Sequence, residues 1–66
     1  MQIMLNGEAR EIAEDLTAAQ LIEELGLNGQ RLAVEVNREI LPRSEFAEHR
    51  FQPGDRVEIV RAIGGG

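Results

Sequence analysis

The residues best placed to do chemistry stand at the end of the sequence: Gly64, Gly65 and Gly66. With Gly at about 7% of residues, three in a row at one terminus arise by chance in roughly 0.03% of chains. Such a run has a physical use. Lacking a Cβ, Gly takes almost any φ/ψ and passes through a narrow channel. Three extended residues span about 10 Å, enough to carry a terminal carboxylate out of one domain and into another protein's active site. A terminal carboxyl group, with a reference pKa of about 3.3–3.7, is ionised at neutral pH. It is a poor electrophile, because nucleophilic attack adds charge to an anion. Adenylation by ATP would make it an acyl donor. The sequence holds no Walker-type phosphate loop, so the ATP site is expected on a partner.

No other group in the sequence competes for this role. There are no cysteines and one histidine, which removes a thiolate nucleophile, a disulfide framework and a cysteine zinc site. His49 has no nucleophile pattern around it and reads as a surface or loop histidine. Ser44 lacks a nucleophile context, and Glu14-Asp15 and Glu23-Glu24 read as solvated faces. No metal-ligand spacing is present. A chain of 66 residues buries only about 60% of its unfolded surface, which leaves no room for a core plus a deep substrate cleft. The expectation is a carrier acted on by partner enzymes, with no catalytic residue and no bound cofactor of its own.

Charge and hydropathy narrow the partners. The net charge is -5 and all seven cations are Arg. Nucleic-acid binding needs a basic stripe, so it is not expected. An acidic surface gives solubility and steers a domain toward a basic partner. No apolar run approaches the roughly 20 residues that span a bilayer, and MQIMLNGEAR lacks signal-peptide character. A cytoplasmic protein without membrane contact is expected.

The elements that must hold the tail are well marked. Met1, Ile3 and Leu5 alternate with polar or outward residues and precede Asn6-Gly7, the strongest short hairpin signal. Residues 8–12 then form the returning strand. Thr17 and Gln20 have capping-box spacing, with Leu16 and Leu21 as a hydrophobic staple. Ala18, Leu21, Ile22 and Leu25 lie on one helical stripe, and Gly26 suits the left-handed position that ends the helix. Leu32, Val34 and Val36 point one way along a third strand. Asn37-Arg38-Glu39 reads as a turn, Ile40-Leu41 as a short strand stopped by Pro42, and residues 43–50 as irregular with one helical turn at most. Phe46 and Phe51 read as core plugs. Pro53-Gly54-Asp55 reads as a turn, and residues 56–63 as the last strand with Val57 and Ile59 inward.

This order predicts an α+β chain of the β-grasp (ubiquitin-like) type. About five strands form a mixed sheet, one helix packs across one face, and the last strand lies centrally beside the first. Residues 1–63 make the domain and 64–66 the tail. The uncovered sheet face carries Met4, Val60 and Ala62, with Ile63 close to the tail. An apolar patch beside a reactive terminus reads as a docking surface.

The second half resembles the bacterial sulfur carriers of thiazole biosynthesis (ThiS), and the resemblance spans essentially the whole chain. Val36-Asn37-Arg38-Glu39-Ile40-Leu41-Pro42-Arg43 is similar to that family's Val-Asn and Val-Pro-Arg segment. Phe51 to Val60 is similar to its Gly-Asp-x-Val-Glu-Ile strand, and Gly65-Gly66 fits its obligatory end. Phe46 stands where many members have Trp. The small subunit of molybdopterin synthase also ends in Gly-Gly, but it usually runs longer and has a proline pair where this chain has Val60-Arg61-Ala62.

The resemblance implies a mechanism. A ThiF-type adenylyltransferase uses ATP and magnesium to adenylate Gly66. Sulfur, from a cysteine desulfurase persulfide in many organisms, replaces one oxygen to give a thiocarboxylate. Thiazole synthase (ThiG) then takes that sulfur, and Gly64 and Gly65 serve as the delivery arm. The same tail also permits a carrier for molybdopterin or tRNA thiolation, or a ubiquitin-like modifier. Without side chains to anchor them, Gly65 and Gly66 are expected to be mobile in the free protein. NMR relaxation of their amides checks this: rates matching the domain core would contradict it.

Overall fold

A computed structural model describes residues 1–62. Ile63, Gly64, Gly65 and Gly66 lie outside the described residues, and with them the expected domain boundary and the tail's motion. The described elements are β1 (Gln2–Leu5), β2 (Glu8–Glu11), α1 (Ala18–Glu24), β3 (Leu32–Val36), β4 (Glu39–Ile40), a short 3-10 helix (Arg43–Glu45) and β5 (Arg56–Arg61). The sheet order is β2-β1-β5-β3-β4. Strand β5 is parallel to β1 and antiparallel to β3. This is the expected β-grasp sheet, with the last strand at its centre.

The first hairpin forms because Asn6 and Gly7 both accept positive φ, at 49° and 84°. That pair of angles makes the tight primed turn whose twist matches the strands. Residues opposite each other run from Leu5↔Glu8 to Gln2↔Glu11. Ile3 is thereby aimed at the core and is fully buried.

Helix α1 begins and ends as its sequence signals require. The Thr17 side chain accepts from the Gln20 N–H, and the Gln20 side chain accepts from the Thr17 N–H. The next two amides, on Ala18 and Ala19, donate to the carbonyls of His49 and Phe46. The first turn therefore has no orphan donor. At the other end Gly26 has φ +73°. Its N–H reaches the Glu23 carbonyl and that of Leu27 reaches the Ile22 carbonyl, the paired bonds of a Schellman end. Ala18, Leu21 and Ile22 are buried against the sheet, while Leu25 is half-buried at the rim of the core.

The core lies between that helix face and the inner side of the sheet. Ile3, Leu21, Val34 and Val57 are its most enclosed side chains, joined by Ile12, Leu16, Leu41, Phe51 and Ile59. Phe51 plugs the core as expected. Phe46 does not: it is half-buried and packs at the margin, while its carbonyl accepts from the Ala19 N–H at the start of the helix.

Two boundaries differ from the sequence expectation. The turn after β3 is two residues, Asn37 and Arg38, with φ of 53° and 70°. Glu39 therefore pairs at once with Val36, and the short strand begins one residue earlier than Ile40. Leu41 leaves the strand and turns into the core, its N–H still bonded to the Val34 carbonyl. The last strand ends at Arg61 rather than 63, although the Ala62 N–H continues the ladder to the Arg31 carbonyl.

Asn37 carries more than a turn. Its Oδ1 accepts from the Arg56 N–H and its Nδ2 donates to Asp55 Oδ1. Asp55 Oδ2 in turn accepts from the Gln52 N–H. One amide thus joins the β3–β4 turn to the turn that launches β5. Replacing Asn37 by Ala removes these bonds and places an alanine at positive φ, whereas Gly removes the bonds only. Asn37→Ala should therefore be less stable than Asn37→Gly by about 1 kcal/mol, measured by denaturant unfolding. The reverse order would show that the turn carries no backbone strain.

Candidate functional site

The tail leaves from the far end of the central strand. Strand β5 has six residues, so it carries the chain about 20 Å from the Asp55 turn to the opposite end of the sheet. There Arg61 lies opposite Leu32, and Ala62 bonds to Arg31. Gly66, Gly65, Gly64 and Ile63, the residues the sequence singled out, follow directly but lie outside the described residues. What the structure gives is the platform from which they start.

The pleat sorts that platform into two faces. Val57 and Ile59 face the helix and are buried. Glu58, Val60 and Ala62 face the other way and are exposed. Cross-strand partners share a face, so Ala33 joins Val60, Glu35 joins Glu58, and Ile40 joins Glu35. The large exposed apolar residues among those described are Met4, Ile40 and Val60, at 38%, 68% and 56%. All three lie on this uncovered face.

The structure brings some of the expected docking residues together and separates others. Val60 and Ala62 are neighbours on one strand face, beside the tail. Met4 shares the face but sits opposite Arg56, at the start of β5. Four residues of strand, about 13 Å, separate it from the level of Val60, with Arg56 and Glu58 between. Met4 is thus not part of the patch at the tail. The residue that adjoins Val60 there, Ala33, went unnoticed in the sequence, while Ile40 lies two strands away, level with Glu58. Alternation along Leu32–Val36 does turn Ala33 outward, but only the β3–β5 register shows that it meets Val60. Glu35 and Glu58 also stand directly opposite each other, a like-charge pairing that disfavours the isolated sheet.

The motif residues of the second half have structural tasks. Asn37 and Asp55 form the clamp described above. Pro42, with φ -64°, opens the 3-10 turn, and its carbonyl accepts from the Glu45 N–H. A cleft lies beside that segment, at the end of the sheet away from Ala62, and includes Glu39, Glu45, His49 and Asp55. His49 meets Phe51 edge-on at 5.1 Å, and its Nε2 is buried without a hydrogen-bond partner. No group of three His, Cys, Asp or Glu side chains able to hold a metal occurs among the described residues. No helix there is long and apolar enough to cross a membrane.

The fold defines a ubiquitin-like β-grasp domain whose central strand leads, in sequence, to a glycine end. The ThiS family profile matches residues 3–66. The chain is 35% identical to "Sulfur carrier protein ThiS" of Escherichia coli (strain K12), covering all of both chains. It superposes with a TM-score of 0.85 and 32% identity on the crystal structure of a thiamine biosynthesis protein (ThiS) from Geobacter metallireducens, again over the full length of both. It is also 42% identical over 66 residues to a "Thiazole synthase" of Paramagnetospirillum magneticum (strain ATCC 700264 / AMB-1), of which it spans 20%. The chain belongs to the ThiS family.

Proposed function

We propose that this chain is a sulfur carrier for thiazole formation in thiamin biosynthesis, working through a free carboxylate on Gly66. The observation that carries the reading is the end-to-end match to a sulfur carrier protein and to a thiamine biosynthesis structure. An adenylyltransferase of the ThiF type activates Gly66 with ATP and magnesium; the outer sulfur of a persulfide donor such as a cysteine desulfurase displaces AMP, and a thiol reductant cleaves the resulting acyl disulfide to leave the thiocarboxylate. The thiocarboxylate then serves thiazole synthase as a sulfur nucleophile. Two relatives that bear the name thiazole synthase contain a segment like this chain within a longer protein, which supports that enzyme as the acceptor. The carrier contributes no catalytic side chain and holds no cofactor: activation and transfer belong to its partners, and all of them act in the cytoplasm.

Docking falls to the uncovered face. Val60, Ala62 and Ala33 offer apolar contact next to the tail, Ile40 adds exposed apolar surface farther along the same face, and Ile63 extends the contact toward Gly64 and Gly65. The opposed Glu35 and Glu58 favour a partner that sets a basic side chain against them, since such a contact would relieve their mutual repulsion.

Incubation with the adenylyltransferase, ATP, magnesium and a sulfur source should give the intact protein the mass gain of one oxygen-to-sulfur exchange. Removal of Gly66 should abolish that gain and leave the unfolding midpoint unchanged. An unchanged mass for the full chain would sink the proposal. Val60→Lys should shift stability by no more than about 1 kcal/mol yet raise the KM for activation by about tenfold. An unaltered KM would remove Val60 from the interface.

A further inference from the structure

Strand β5 outruns its parallel neighbour. Successive residues of a strand direct their backbone N–H and C=O groups to opposite sides. Arg56 and Ala62 bond toward the β3 side, to Asn37 and Arg31, which places the even-numbered residues of β5 on that side. The odd-numbered residues, Val57, Ile59 and Arg61, therefore face β1. But β1 ends at Leu5, opposite Val57. From there its chain turns away into the Asn6-Gly7 hairpin.

The Asn6 side chain fills the missing place. Its Oδ1 accepts from the Ile59 N–H at 2.9 Å, and its Nδ2 donates to the Ile59 carbonyl at 3.2 Å. The Asn6 backbone N–H meanwhile bonds the Val57 carbonyl at 2.8 Å. The primary amide thus reproduces the donor and acceptor of one further strand residue. Ile59 is 6% exposed, so leaving both groups unmet there would be costly. Two positions on, the Arg61 N–H and carbonyl face the same side, and among the described residues none pairs with them.

The turn alone does not explain the residue type. Asp and Gly suit positive φ in such a turn as well as Asn does. Only Asn offers a donor to the Ile59 carbonyl together with an acceptor for its N–H. The second Asn-Gly pair of the chain has no comparable role: Asn28 Nδ2 reaches only the exposed Glu23 Oε2, at 3.4 Å.

We infer that Asn6 is a positioning residue for activation at Gly66. Among the described residues it is the last group that fixes β5 on the β1 side, and through that strand it sets the direction in which the chain leaves the sheet at Ala62. Beyond it, among the described residues, Val60 and Ala62 are held by the ladder to β3 and by Arg31. The inference rests on the sulfur-carrier reading. It separates two jobs within that reading: the uncovered face binds the partner, and Asn6 aims the end that reacts.

The test compares Asn6→Asp with the unaltered chain and with Asn28→Asp. Asn6→Asp keeps the size and the turn but sets a carboxylate oxygen against the Ile59 carbonyl. Carrier-dependent ATP–pyrophosphate exchange by the adenylyltransferase should show kcat lowered roughly tenfold or more, with KM within about twofold because the docking face is untouched. Asn28→Asp should change neither. Amide hydrogen exchange should quicken at Ile59 and Arg61 in Asn6→Asp and stay unchanged at Val34. If Asn6→Asp does not fold, Asn6→Gly keeps the left-handed turn, drops both amide bonds, and should give the same kcat loss. An unchanged kcat in a variant with loosened Ile59, or equal loss in Asn28→Asp, would overturn the inference. Failure of the unaltered chain to be activated would instead overturn the sulfur-carrier reading, and the exchange data would still report whether Asn6 anchors the strand.

Discussion

Everything in this domain depends on giving β5 a hydrogen-bonded neighbour on each side. It is the strand that leads to the tail, and it is central. A central strand buries its backbone, so each N–H and C=O along it needs a partner. Strand β1 supplies one flank as far as Val57 and β3 supplies the other through Arg61, with the Ala62 N–H bonded to Arg31 just beyond. Where β1 stops, a side chain takes over. The Asn37–Asp55 clamp serves the same end from the start of the strand, by fixing where β5 begins.

That arrangement divides the labour between the two faces of one sheet. The inner side chains of β5, Val57 and Ile59, supply burial and hold the helix. Of the outer ones, Val60 remains exposed near the level where the tail begins, next to the exposed Ala62 just past the strand. A chain this small has no spare element to dedicate to recognition. The same six residues therefore anchor the fold with one set of side chains and present a surface with the other. The pleat makes this possible, because neighbouring residues cannot share a face.

Much of this was legible in the sequence because the signals were local. The Asn6-Gly7 turn, the Thr17–Gln20 capping box and the Gly26 helix end each lie within a few residues, and each formed as read. Alternation in β5 gave the inward pair Val57 and Ile59. What escaped depended on pairing between distant segments. Ala33 meets Val60 only through the β3–β5 register, and Met4 falls away from the tail only through the β1–β5 register. Asn6 was explained as a turn residue, and the explanation was correct but incomplete. Its bonds to Ile59 span 53 positions, which no local pattern reveals. Phe46 was read as core because it is aromatic, yet it packs only at the margin, in a segment whose carbonyl serves the helix N-terminus.

The parallel pairing of β1 with β5 joins residues near both ends of the chain. Met4 must find Arg56, and Leu5 must find Val57. Contacts of such long sequence separation slow folding, since a large loop must close before they form. During synthesis the sheet has no centre until β5 has emerged. A chain interrupted before β5 would hold a hairpin and a helix with nothing between β1 and β3, and its apolar faces would stay uncovered. The domain therefore becomes a folded object only once the segment leading to its glycine end exists. Completing the fold is in this way a check that the strand leading to the working end has been made.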